Sequence, residues 1–106
     1  MHPHKILVKV YGNIYPADSA MFQSLQAICG EAVEMEGDLL RLSFEGIWFP
    51  LEDVLAALRP CLKADCQGKL DYLDLEAWTL VRHTFAGTEI QLSRAPLNNV
   101  LDYSGH

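Results

Sequence analysis

The side chains with the widest chemical range in this chain are three cysteines, Cys29, Cys61 and Cys66, and four histidines. Cys61 and Cys66 stand further apart than a C-x-x-C redox pair, at the edge of zinc-ligand spacing, and no second ligand pair follows at a matching interval. Cys29 and Cys61 fall on or near apolar helical stripes and read as small apolar side chains. Cys66, in a polar stretch, is the reactive-thiol candidate. Hydrolytic chemistry needs a nucleophile, a base and an orienting group in contact. Ser19, Ser24, Ser43 and Ser93 lack the glycines of a nucleophile elbow. His83 is the one histidine inside an expected element, placed where a helix C-terminus would favour its charge. His2 and His4 flank Pro3 and read as a solvated tail. No complete catalytic, nucleotide-binding or metal-binding signature emerges, and no cofactor is implied.

Carboxylates gather in Lys63-Ala-Asp-Cys-Gln-Gly-Lys-Leu-Asp-Tyr-Leu-Asp74. With Gly68 at the sixth position, this stretch resembles a calcium-binding EF-hand loop. The resemblance implies metal ligation by Asp65, Gln67, Asp71 and Asp74, an apolar eighth position at Leu70, and helices on both sides. Two positions depart from the pattern. Lys63 stands where a first carboxylate belongs, and Asp74 is one methylene shorter than the glutamate that binds calcium through two oxygens. The remaining ligands are too few for calcium, so a polar turn in which Asp71 or Asp74 caps the next helix is the preferred reading.

The other signal is apolar excess. Ile47, Trp48 and Phe49 are consecutive in a connection and cannot all enter one small core, and Trp78 falls off the expected helical stripe of Leu73, Ala77 and Leu80. Large aromatics left over once a core is assigned point to a protein interface, where Trp and Tyr are enriched. Ile47, Trp48, Phe49 and Trp78 are therefore the interface candidates. The competing reading has Trp48 and Phe49 stapling a helix start at the core edge.

The surroundings narrow the classes. Fourteen acids against eight bases give a net charge of −6, and the scattered lysines and arginines argue against a phosphate-backbone partner. Half of the residues are apolar, as in ordinary globular proteins. The start carries no signal-peptide pattern and no apolar run reaches membrane-spanning length, so a soluble cytoplasmic protein with reduced thiols and no membrane partner is expected.

The elements that must hold these residues follow from periodicity. Ile6, Val8 and Val10 alternate around Leu7 as a strand. Asp18 or Ser19 caps a helix carrying Met21, Phe22, Leu25, Ile28 and Cys29, with Gly30 at its end. Residues 31–36 and a run with Leu40, Leu42 and Phe44 on one face form a hairpin around Gly37-Asp38. Pro50, Glu52 and Asp53 open a second helix with Val54, Leu55 and Leu58 inside, weakening near Pro60. From Asp71 to Phe85 a helix is favoured over a hairpin turning at Ala86-Gly87. A short strand over 88–93 and a terminal helical turn or two over 96–103 follow, with a loose tail.

The expected fold is a single α+β domain over residues 1–106. It opens β-α-β-β-α in a ferredoxin-like layout, with helices on one face of an antiparallel sheet and a helix-rich C-terminal extension. Such layouts host many functions. The functional expectation is a non-enzymatic protein acting by protein association, as a homodimer or with another partner. A cation- or ligand-binding regulator using residues 63–74, and an enzyme whose site assembles only in three dimensions, are the alternatives.

Overall fold

The computed structural model describes residues 6–99. His2, His4, the tail, and the part of the expected terminal helix beyond residue 99 lie outside them.

Strand β1 is Val8–Tyr15, where Val8, Val10 and Ile14 turn inward. Asp18 then starts helix α1, Ser19–Cys29, its carboxylate accepting the Met21 N–H at 2.9 Å. That cap satisfies a donor the first helical turn leaves free. Gly30, at φ 60°, ends the helix, and a 3-10 turn leads to β2, Val33–Glu36. A two-residue turn with Gly37 at φ 65° joins β2 to β3, Leu39–Gly46. Helix α2, Leu51–Leu58, follows Pro50 and tightens into a 3-10 turn at Arg59–Cys61, where Pro60 cannot continue the ladder.

The rest of the described chain is extended: β4, Gln67–Asp74, β5, Thr79–Ala86, and β6, Glu89–Pro96, close on a 3-10 turn at Leu97–Asn99. The strands form one antiparallel sheet in the order β2-β3-β1-β4-β5-β6. α1 connects β1 to β2 across β3, and α2 connects β3 to β4 across β1. Both helices pack on the same sheet face. Leu25 of α1 and Leu58 of α2 meet Leu40, Leu42, Leu70 and Phe85 around a void of about 10 Å³, room for one water at most.

These observations overturn the expected fold class. The described chain is a β-rich six-stranded antiparallel sheet with two short helices: β4 and β5 stand where a polar loop and a helix were expected, the short strand expected over 88–93 is the eight-residue β6, and no helix-rich extension follows it among the described residues. Thr79–Phe85 is dense in β-branched and aromatic residues that pack well on a pleated surface. The apparent helical stripe through Leu73, Ala77, Leu80 and Thr84 is a coincidence of spacing across a turn. Upstream, Leu70 and Tyr72 alternate with Asp71 and Leu73, the period of a strand. Asp71, which a polar loop would leave in water, is 3% exposed and directly opposite Arg82 in β5.

Candidate functional site

Registered strand pairs place directly opposed residues on a common row. One row at an end of the sheet runs Gly46, Val8, Asp74, Thr79, Pro96. Ile47 and Trp48 leave β3 from this row, Ile6 lies just before it, and Trp78 precedes Thr79. Residues distant in sequence thus reach the same end, over a span of about 14 Å from β3 to β5 at the usual strand spacing. Ile6 is 39% exposed, Ile47 67%, Trp48 68% and Trp78 41%. The structure therefore gathers three of the four interface candidates and adds Ile6.

Phe49 goes the other way. It is 3% exposed and packs on Phe44 with ring centroids 5.1 Å apart, so Phe49 lies in the core while Trp48 stays outside. The chain divides the three apolar residues of this connection between core and surface.

Trp78 is held with care. Asp74 accepts the N–H groups of Glu76 and Ala77 at 3.0 and 2.9 Å, fixing the β4–β5 turn. Trp78 ends that turn at φ 59°, a conformation bulky side chains rarely adopt. Its indole N–H donates to Asn98 Oδ1 at 2.7 Å, and its carbonyl accepts the Leu97 N–H at 2.9 Å. An exposed aromatic already fixed in place loses little freedom when a partner covers it.

The calcium-loop residues take other places. Asp65 lies exposed in the turn before β4, while Gln67, Asp71 and Asp74 lie along the strand itself. Alternation sends Gln67 and Asp71 to the face away from the helices and Asp74 to the other. Gln67 and Asp74 are about 23 Å apart at the rise of an extended chain. Among the described residues no three His, Cys, Asp or Glu side chains converge on a point that could hold a metal ion. Asp71 instead receives two bonds from Arg82, Nε to Oδ1 at 2.7 Å and Nη2 to Oδ2 at 2.8 Å.

Cys66 is buried at 3% exposure. Its thiol donates to the Pro16 carbonyl at 3.4 Å, its sulfur accepts the Lys63 N–H at 3.3 Å, and its carbonyl accepts the Gly87 N–H at 2.8 Å. The residue pins three connections together. His83 is likewise buried, with Nδ1 3.3 Å from the Leu70 carbonyl, so Nδ1 carries the proton in that contact.

Electrostatics on the face away from the helices centre on Tyr11. Its hydroxyl donates to Glu45 at 2.7 Å, and partial burial, that bond and the Glu45 charge push its pKa up to about 12. On the other side, the Met21 N–H and Lys63 hold Asp18 below the usual carboxylate range, and Asp18 in turn raises Lys63. Burial pushes the Cys29 thiol up.

No family model, curated protein or solved structure matches this chain. The site therefore rests on its own geometry. Sequence reasoning missed two exposed apolar residues, Ile6 and Leu92, the latter 59% exposed in β6. Leu92 lies on the helix-covered face and is left exposed because β6 is an edge strand, and Ile6 because it precedes β1 at the end of the sheet, positions that only the sheet order shows.

Proposed function

We propose that this protein acts by association, binding another protein through the end of the sheet that carries Ile6, Ile47, Trp48 and Trp78. The observation that supports it most is the division at Ile47-Trp48-Phe49, where Phe49 completes the core and its two neighbours stand about two-thirds exposed. Isolated exposed apolar residues are ordinary. Four at one end of a sheet, two of them tryptophan and one of these fixed by its own hydrogen bond, have the composition of an interface centre. No helix among the described residues is long and apolar enough to cross a membrane, and the acidic balance favours a protein partner over a nucleic acid.

The test is capture on immobilised chain, comparing wild type with Trp48→Asp. Folding is checked by circular dichroism. The expected result is a protein retained by wild type, lost with Trp48→Asp, and shown to bind directly once purified. Identical retention by two equally folded chains would remove the reading.

A further inference from the structure

The two edges of the sheet are built differently. β2 has four residues and exposes Glu34 and Glu36, a short charged edge of the kind that resists pairing. β6 has eight residues in unbroken register with β5, its proline comes only at the last position, and its Leu92 is 59% exposed. Among the described residues nothing pairs with its outer side.

The register decides which backbone groups are free. Ala86 and Glu89 flank the two-residue turn and are directly opposed, so they form a hydrogen-bonded pair. Alternation then turns Glu89, Gln91, Ser93 and Ala95 toward β5. The N–H and C=O groups of Ile90, Leu92 and Arg94 point outward.

We propose that β6 pairs antiparallel with β6 of a second copy about a twofold axis at Leu92, joining the two sheets into one of twelve strands. This surface is distinct from the apolar sheet end assigned above. In that register Leu92 opposes the partner's Leu92, Ile90 opposes the partner's Arg94, and Arg94 opposes the partner's Ile90. All six outward groups then find partners within β6. A shift by two residues in one direction sets Ile90 against the partner's Pro96, which has no N–H, and in the other sets Arg94 against Thr88 in the turn.

Side chains and charge agree with the same register. The exposed leucines meet on one face, and the aliphatic stem of each Arg94 covers an Ile90. Glu89 and Arg94 sit at opposite ends of the strand, so antiparallel pairing brings acid and base to the same end and opposes no like charges. The strand is neutral in a chain of net charge −6, which makes this edge a place where two acidic copies can meet with little repulsion.

The test is residue-resolved amide exchange over a dilution series, with solution mass measured on the same samples. Wild type should be a dimer when concentrated, with the amides of Ile90, Leu92 and Arg94 protected in the dimer and fast on dilution. Gln91 and Ser93, bonded to β5, should stay protected throughout. Leu92→Lys sets two ammonium groups opposite each other and should give a folded monomer with those three amides fast at all concentrations. Leu92→Pro, which removes only an outward N–H on an edge strand, should likewise give a folded monomer, with the two remaining amides, of Ile90 and Arg94, fast at all concentrations. A wild-type monomer at every concentration would overturn the proposal, and so would a dimer that survives Leu92→Lys. Concentration-independent protection of the three amides in a monomer would assign the edge to the chain's own residues and overturn it equally.

Discussion

Trp48 and Phe49 are adjacent in the chain and differ by a factor of more than twenty in exposure, 68% against 3%. Truncating Phe49 to alanine should cost about 3–5 kcal/mol, as removal of a buried ring does, read as a lower urea midpoint. Trp48→Ala should stay within about 0.5 kcal/mol of wild type, the usual effect at an exposed site without special contacts. The buried ion pair gives an asymmetric expectation. Asp71 has 4% side-chain exposure and Arg82 31%. Arg82→Ala strands a carboxylate away from water and should cost about 3 kcal/mol. Asp71→Asn leaves a guanidinium that water can reach and should cost clearly less. Tyr11 titrates at about 12 when folded against an ordinary value of 10.0, so the folded state holds its proton more tightly. That contribution is complete below pH 10 and is lost as pH rises through about 12. Tyr11→Phe should therefore flatten the alkaline fall in stability, measured by urea denaturation across that window. Tyr72, whose pKa burial and then Asp74 also raise, keeps the variant from losing the dependence entirely.

At the scale of elements, the helices and the first hairpin were legible because each has a local cause. Asp18 and Gly30 bracket α1, Gly37 supplies the positive φ of the β2–β3 turn, and Pro60 stops α2. β4 was not legible, because what makes it a strand is remote. Asp71 lies inside the sheet only since Arg82 waits across from it. Gly68, placed in the sequence as a loop glycine, instead lets two strands come close. At φ 154°, its missing side chain leaves space for β1, and a Cβ there would collide with the Asn13 carbonyl oxygen. Gly68→Ala should strongly destabilise the protein or prevent folding, read by thermal melting as a much lowered midpoint or a lost transition. The candidate site was half legible for the same reason. Composition singled out Ile47, Trp48 and Trp78, while their meeting at one end, and the separation of Phe49 from them, depend on a register that residue types alone do not carry.

At the scale of the whole molecule, one helix-covered sheet carries the two surfaces proposed to meet other chains, an apolar end and an eight-residue edge that is unpaired among the described residues. Each lies on the described perimeter of the sheet, and they adjoin only at the Thr79–Pro96 pair, four residues along β6 from Leu92. The function proposed is association through both, copy to copy at β6 and copy to partner at the apolar end. Its most direct test is the solution mass by light scattering of wild type, Leu92→Lys and Trp48→Asp, each measured over the same dilution series up to high concentration and compared at its concentrated end. Wild type and Trp48→Asp should have twice the 11.9 kDa chain mass, and Leu92→Lys a single chain mass. A wild-type monomer, or a dimer that Trp48→Asp dissolves and Leu92→Lys does not, would contradict it.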